Sequence, residues 1–600
     1  MLNHSQITLK WVPAMNREFR QMPVHARTLC LATALVIAIV ANLNTAYVAS
    51  AQTDKLAIEQ ITENVAGGLI IRNLEEFEQA FDELFHPLFG VGIEIFPSLM
   101  YRPLEQLGID KNAVIDLQGS GGIILLNRSL EDLMIRFVYP IKDNSEVAEA
   151  LEIDSMELKA GSAYSVGAFE VAMLDGKMSL GTALFDFSFD NSSKRTPTAI
   201  DNPFSDSESI LKHLSEADLE MFGQADAVLA LGQRASKTFW SSGLRPALSS
   251  EPADSELINR LAAASEEIRF GLAAIDIDQG IHIRSKSFLT NNEDGAAIQL
   301  IRDIRGGDKT SDLKFLPDAN VLLAGAAVGN GKQNVTLAKA IVKMIVEIAS
   351  PGEEVLTSSD KDDFYKLFGT VWQQLQGTRL GLYRNEGEIG DAGELALITI
   401  FHSDEAKEIL DSLPELVRVA NQGILNATPE GAEPELSFEF RRNETTSGEI
   451  VADILEIDTT RIEEQSAAIF QRFFGKNGNQ IRFVVVGEHL VMCLGENPAL
   501  LKATIDNLKN QRAGLNDNPV FVKTNQRLDS RRKVELHVSA RNFYSTYSAI
   551  ARNRKDVADY ETPSEVASFA LTIEEDRFGF DFWLPAKELG QTISLIFSNF

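Results

Sequence analysis

The chain contains 600 residues, of which 44% are hydrophobic and 24% are charged. These are ordinary values for a globular protein, and they exclude wholesale disorder. The formal net charge is −30, from 56 Lys and Arg residues against 86 Asp and Glu residues. Because such a chain repels nucleic-acid phosphates and anionic lipid, we expect neither as a partner. Only two cysteines occur, which excludes a disulfide framework.

The first 51 residues have the order of segments found in a secretory signal peptide. Several basic residues precede a short apolar run, Leu29–Ala41, and the small residues Ala49-Ser50-Ala51 follow it. We therefore predict a signal peptide over residues 1–51, cleaved after Ala51, and a periplasmic or secreted mature protein. The apolar run is shorter than the roughly 20 residues of a bilayer span. An uncleaved N-terminal membrane anchor is the alternative, and we expect no stable membrane span in the mature chain.

The rest of the chain predicts two related halves. Five pairs of segments recur in the same order, and the clearest pair is Val171–Gly181 (VAMLDGKMSLG) and Val484–Gly495 (VVVGEHLVMCLG). Each segment has the pattern of two short strands around a tight turn. Asp175-Gly176 in one segment and Gly487 in the other tolerate the positive φ of such turns. The ordered recurrence indicates an internal duplication.

The predicted fold class is α+β, with two tandem duplicated units. Each unit is expected to contain mainly antiparallel sheet, built from hairpins, with helices packed on one face. The first unit spans residues 52–306, the second spans residues 313–600, and Gly307–Asp312 forms a linker. The offset between matched segments rises from 259 (Ser145 to Asp404) to 313 (Val171 to Val484). This increase predicts an insertion in the second unit, within residues 411–481.

No pattern of residues in the sequence identifies a catalytic centre. Metal-ligand spacings such as H-x-H and H-E-x-x-H are absent, as is the G-x-S-x-G turn of serine hydrolases. We interpret the histidines of the mature chain as structural or surface residues; they are His86, His213, His282, His402, His489 and His537. The catalytic residues are therefore unknown, and neither a cofactor nor a metal is predicted.

Acidic clusters leave one metal-binding alternative open. Their carboxylates could offer oxygen ligands to calcium, although the EF-hand spacing is absent. The clusters are Asp276 with Asp278, residues 360–363, and Glu386, Glu388 and Asp391. In so acidic a chain, we expect these clusters to be solvated surfaces.

Two further features are assigned structural roles. The basic cluster of Arg527, Arg531, Arg532 and Lys533 is expected to pair with acidic side chains rather than to bind an anion. Cys493 is the single cysteine after Ala51 and lies in an apolar run, so we expect a buried, inert thiol.

The hairpin followed by a helix resembles a feature of exported bacterial proteins that are classed as domains of unknown function. The segment VVVGEHLVMCLGENPALLKATIDNL, which begins at Val484, carries the resemblance, and Val171–Gly181 is similar to its first part. The resemblance implies an uncharacterised exported protein with a duplicated α+β unit. It transfers no catalytic residue.

These observations predict a soluble exported protein that binds, scaffolds or interacts with the cell envelope, and they favour a non-catalytic role. Its partner would be an unknown protein or a small molecule. The cleft between the two halves is the expected binding surface, since pockets favour domain interfaces. The alternative is an exported hydrolase whose carboxylates or serine come together only in the fold.

Overall fold

A computed structural model gives the fold of the chain. The residues that it describes are 65–89, 100–129, 132–151, 163–166, 169–174, 177–183, 221–222, 224–232, 267–289, 295, 298–299, 309–329, 371, 373–385, 393–428, 434, 437–445, 450–458, 464–551, 560–574 and 577–591. The predicted signal peptide, residues 1–51, lies outside them.

Nine described strands form what we call the N-terminal half-sheet. They are β1 (Val65–Ile71), β2 (Gly121–Ser129), β3 (Asp132–Pro140), β4 (Ala163–Val166), β5 (Phe169–Leu174), β6 (Lys177–Ala183), β7 (Ala227–Gly232), β8 (Ile268–Ile277) and β9 (Gly280–Leu289). Their pairings are all antiparallel, in the spatial order β4-β5-β6-β3-β2-β1-β7-β8-β9.

Ten described strands form the C-terminal half-sheet. They are β10 (Val321–Val328), β11 (Gly377–Arg384), β12 (Leu395–His402), β13 (Ser437–Thr445), β14 (Val451–Asp458), β15 (Gln480–Val486), β16 (His489–Leu494), β17 (Arg532–Val538), β18 (Ala567–Ile573) and β19 (Arg577–Pro585). Their order is β13-β14-β15-β16-β12-β11-β10-β17-β18-β19. Apart from the outer strand β13, this order matches that of the N-terminal half-sheet.

The two half-sheets join through β9 and β19. These strands pair antiparallel, from Arg577 opposite Phe288 to Pro585 opposite Gly280, so the 19 described strands belong to one sheet. The predicted α+β fold of two tandem duplicated units is therefore wrong, because one continuous antiparallel sheet dominates the fold. The sequence indicated local hairpins, but this junction joins strands 295 residues apart in the chain, as at Ser285 and Phe580.

The described helices flank the sheet. They are α1 (Leu74–Phe89), α2 (Arg102–Gln106), α3 (Lys111–Val114), α4 (Asn144–Ala150), α5 (Ala406–Ala427), α6 (Glu464–Phe474), α7 (Pro498–Lys509), α8 (Pro519–Asn525) and α9 (Ala540–Ala551), with a short 3₁₀ helix at Gly514–Asp517. None of these helices combines the length and the apolar character that crossing a membrane would require.

Helices cover both faces of the C-terminal half-sheet, so the prediction that they pack on one face is also wrong. Leu490 and Val491 are neighbours on β16 and therefore point to opposite faces. Val491 belongs to a core cluster with Leu501 of α7, whereas Leu490 packs with Ile409 of α5. A third large cluster fills the N-terminal half around Leu74 of α1.

The local predictions around the matched hairpins are confirmed. Leu174 pairs with Lys177 in the first hairpin, whose turn residues 175–176 lie outside the described residues, and Val486 pairs with His489 across the second turn. Gly487 has a φ of 59°, the left-handed conformation that favours glycine. The side chain of Asn497 accepts a hydrogen bond from the Leu500 N–H at 2.9 Å and thereby caps α7.

Candidate functional site

A cavity of about 300 Å³ lies where β10, β11 and β12 meet the predicted linker. The linker residues Lys309, Thr310 and Asp312 form one wall. The strands and the residue before β11 form the other, with Ala326, Ala327, Val328, Gln376, Gly377, Thr378, Arg379 and His402. We call this cavity, with these lining residues, the linker pocket.

The register of the sheet brings the basic groups of the strands to one wall. Arg379 lies opposite Ala326 of β10, and His402 lies opposite Gly377, the first residue of β11. Directly opposite residues share a face of the sheet, as do residues two apart on one strand. Arg379, Gly377 and His402 therefore share a face. The small residues at positions 326 and 377 leave space beside the two longer side chains.

Arg379 is held in place by two neighbours. Its Nη2 forms an ion pair with Oδ1 of Asp312 at 2.7 Å, and its Nε donates to the same oxygen at 2.9 Å. The guanidinium carbon lies 5.4 Å from the ring centroid of Phe315. The guanidinium is therefore preorganised, while Asp312 offsets part of its charge.

The linker wall is anchored to the sheet and to β11. The Ser311 N–H donates to the carbonyl of Arg532 at 2.9 Å. The ammonium group of Lys533 donates to the Lys309 carbonyl. The ammonium group of Lys309 itself donates to Oε1 of Gln376 at 3.0 Å. These bonds to β17 and to the residue before β11 hold the linker wall in a fixed position.

His402, which lines the pocket, lies beside a second histidine on the neighbouring strand. His402 ends β12 and lies directly opposite His489, which begins β16, with the ring centroids 5.0 Å apart. Nδ1 of His402 is buried and has no hydrogen-bond partner. Burial, Lys309 and Arg379 lower the pKa of His402, and burial, His402 and Arg379 lower the pKa of His489 to about 4. Both rings are therefore neutral at pH 7.

The charges at the pocket suit an anion better than a cation. Lys309 and Arg379 contribute two positive charges, and Asp312 contributes one negative charge. Ammonium and guanidinium groups bind carboxylate and phosphate oxygens through strong, charge-assisted hydrogen bonds. The same two cations would repel a metal ion. Within the described residues, no group of three His, Cys, Asp or Glu side chains could hold a metal.

A second polar cluster has the carboxylate–histidine–serine chain of contacts that is found in hydrolase triads. His537 of β17 places Nδ1 2.7 Å from Oγ of Ser568 and Nε2 3.1 Å from Oε2 of Glu535. Each of these three residues is at most 3% exposed, and Phe521 packs edge-on against the His537 ring. Arg532 also binds the Glu535 carboxylate, at 2.8 Å. The cluster links β17 to β18, and its three side chains are buried away from solvent.

The residues with predicted structural roles behave as expected. Cys493 is 1% exposed, which confirms the buried thiol, and burial raises its pKa to about 12, so the thiolate is disfavoured. The prediction that the basic cluster pairs with acids is confirmed for Arg527 with Glu565, Arg531 with Glu574, and Arg532 with Glu535.

The other candidate residues are dispersed. Asp276 forms an ion pair with Arg284 at 2.7 Å, and His282 packs edge-on against Trp583. The remaining predicted calcium clusters, residues 360–363 and 386–391, lie outside the described residues, as do His213 and the side chain of His86. Where a cleft between the halves was expected, β9 and β19 form a ladder.

Sequence reasoning missed the linker pocket and its histidine pair. The turn at Gly487 places His489 at the start of a strand, and this much could be read from the sequence. The pairing of β12 with β16 is not local, however, so the sequence contained no signal that His402 would lie opposite. Arg379 belongs to no motif, so the sequence does not indicate a functional role for it.

Comparison of the chain with protein-family models, with curated proteins and with solved structures gave no match. The geometry of the pocket is therefore the basis for a functional assignment.

Proposed function

We propose that this protein is an exported, non-catalytic binding protein whose linker pocket holds a small molecule by a carboxylate or phosphate group. One observation carries the proposal: Lys309, Arg379 and His402 converge on one cavity in a strongly acidic chain. The volume of about 300 Å³ is at the lower end for ligand pockets. It therefore favours a small metabolite over a peptide or a polymer.

The preorganisation of the pocket supports binding. Asp312 and Phe315 already hold the Arg379 guanidinium, so little side-chain freedom is lost when a ligand arrives. The apolar surface of Ala326, Ala327 and Val328 can contact the uncharged part of the ligand. The predicted signal peptide is the basis for the exported location.

Isothermal titration calorimetry with citrate, inorganic phosphate and sulfate tests the proposal, with calcium chloride as the cation for comparison. We expect at least one anion to bind and calcium not to bind. Arg379→Gln should weaken anion binding by about tenfold or more, because a hydrogen bond to a charged group contributes about 1.5–3 kcal/mol. Arg418→Gln is the matched control, since it removes the same charge from an exposed ion pair with Glu415 on α5.

Asp312→Asn distinguishes the sign of the ligand charge. This change makes the pocket more positive by one charge, so it should tighten the binding of an anion. It would weaken the binding of a cation. Absence of binding by every anion, or equal losses in the Arg379 and Arg418 variants, would contradict the proposal.

An exported hydrolase is the second candidate, and the Glu535–His537–Ser568 cluster is the observation that favours it. The burial of all three side chains argues against turnover. We therefore expect the protein not to hydrolyse p-nitrophenyl acetate faster than a Ser568→Ala variant does. Hydrolysis that the variant loses, with its melting temperature unchanged, would support the hydrolase instead.

A further inference from the structure

We infer that an anion in the linker pocket is bound together with one proton on the His402–His489 pair, so that the pocket holds its ligand more tightly as the pH falls. The inference rests on the proposed function and adds the regulation of that site. Its structural basis is the closeness of the two histidine rings, whose centroids are 5.0 Å apart, and the position of His402 on the wall of the cavity.

Burial and the neighbouring cations disfavour a positive charge on either ring. His402 is half-buried and faces the cations Lys309 and Arg379, whose effect outweighs that of the acids Glu488 and Asp404. His489 faces His402 and Arg379 and bonds to the backbone of Val486. Both rings are therefore neutral before the ligand arrives.

A bound anion reverses this balance for one ring. A negative charge in the cavity lies next to His402 and favours its protonated form, because an opposite charge within a few ångströms raises the pKa of a histidine. Protonation gives His402 a second N–H donor. The ligand therefore acquires one more cationic neighbour than the free protein shows.

Only one proton is taken up because the two rings are too close to carry two charges. Like charges at a separation of about 5 Å strongly disfavour double protonation, so the pair titrates as a unit. His402 carries the proton in the complex, since it lines the cavity, whereas His489 on the neighbouring strand does not line it. Linkage then limits the gain in affinity to about tenfold for each pH unit.

Calorimetric titration with sulfate from pH 8 to pH 5 tests the inference, because the charge of sulfate is constant over this range. We expect a dissociation constant at least about fivefold lower at pH 5 than at pH 8. Titrations at pH 5.5 in two buffers of different ionisation enthalpy measure proton uptake directly. They should give a value between zero and one proton for each sulfate bound.

Three variants locate the proton. His402→Gln should remove most of the proton uptake and flatten the pH profile, whereas His489→Gln should keep both. His282→Gln is the matched control: this histidine is remote from the pocket, and burial lowers its pKa to about 3, so it stays neutral throughout. Thermal melts verify that each variant is folded.

Each outcome has a distinct meaning. Sulfate binding with a flat pH profile would refute the proton coupling and leave the anion pocket standing. Proton uptake that persists in His402→Gln would also refute the coupling through this pair. Absence of sulfate binding at every pH would overturn both the coupling and its foundation in the proposed function.

Discussion

The N-terminal and C-terminal half-sheets share one strand order, yet their corresponding positions carry different chemistry. In the C-terminal half-sheet, His402 at the end of β12 lies opposite His489 at the start of β16. In the N-terminal half-sheet, Pro140 at the end of β3 lies opposite Lys177 at the start of β6. A proline has no titratable side chain, so a proton-binding pair cannot form there. The strand pairing therefore sets a scaffold that is independent of the pocket chemistry.

The helix that follows the corresponding strands differs in the same way. After β3, α4 has 7 residues, whereas after β12, α5 has 22 residues and packs beside the additional outer strand β13. The described part of residues 411–481 adds an outer strand to the sheet and covers one face of it. The pocket lies at the inner strands, away from this extension.

The largest expected effect comes from Trp583→Ala at the junction of the half-sheets. Trp583 is fully buried on β19, donates to Glu565 at 2.9 Å, and packs against Arg527 at 3.9 Å from its ring. We expect a loss of about 3–5 kcal/mol in the free energy of unfolding. Because β19 pairs with β9, urea unfolding followed by circular dichroism should show one transition for both half-sheets.

Two separate transitions, of which only one shifts in the variant, would show that the half-sheets unfold independently. Val451→Ala is the control, because Val451 is 56% exposed and its truncation should change the free energy of unfolding by less than about 0.5 kcal/mol.

A buried charge distinguishes β17 from β7, and Glu535→Gln tests its contribution. In β17, Glu535 is 1% exposed and binds Arg532 and His537, whereas β7 at the matching place has the uncharged sequence AVLALG. The variant leaves a buried guanidinium without its charge partner, so we expect a loss of about 3 kcal/mol. Glu456→Gln, at a partly exposed ion pair with Arg441, should cost no more than about 1 kcal/mol in the same urea titration.

The sequence predicted the local structure well, because short turns and caps act over a few residues. The hairpin at Gly487, the cap at Asn497 and the buried Cys493 are examples. Alternation of apolar and polar residues also indicated antiparallel strands. The continuous sheet could not be predicted in the same way, since any exposed edge strand can accept a partner and the sequence does not specify which one.

The linker pocket depends on the same non-local information. Arg379 and His402 share a face only because β10, β11 and β12 pair in one register, and a shift of one residue would turn a side chain to the other face. Lys309 and Asp312 lie in the predicted linker, and nothing in the sequence places this segment against a strand. Composition and motifs therefore indicated no binding site.

The pH dependence of stability tests the junction further through Asp581→Asn. Burial and the neighbouring Asp529 raise the pKa of Asp581 to about 6, above the ordinary aspartate value. The folded state therefore binds the proton more tightly than the unfolded state. The resulting stability is present below about pH 4 and is lost as the pH rises through about pH 6, by about 3 kcal/mol.

The asparagine variant cannot ionise, so its stability relative to the parent should increase between pH 4 and pH 7. Urea midpoints measured for both proteins across this range give the difference. A difference that does not vary with pH would show that Asp581 does not carry an excess proton in the folded sheet.

The smallest effects are expected at two helix caps, one in each half of the chain. Asn497 accepts from the Leu500 N–H and also donates to Oδ1 of Asn385 at 2.7 Å, so Asn497→Ala should cost about 1–2 kcal/mol. Asp143 caps the shorter α4 through the Ser145 N–H, and Asp143→Ala should cost about 0.5–1 kcal/mol. Urea titration ranks the two.

Sulfate titration of the cap variants then separates scaffold from pocket. Helix α7 packs on the sheet through Leu501 and does not line the linker pocket, so Asn497→Ala should lower stability and leave sulfate affinity unchanged. A loss of affinity in this variant, under conditions in which it is fully folded, would show that α7 helps to set the register of β12 and β16. The strand pairing and its helices would then not be independent of the pocket, because a helix outside the pocket would change how the histidine pair and the anion interact.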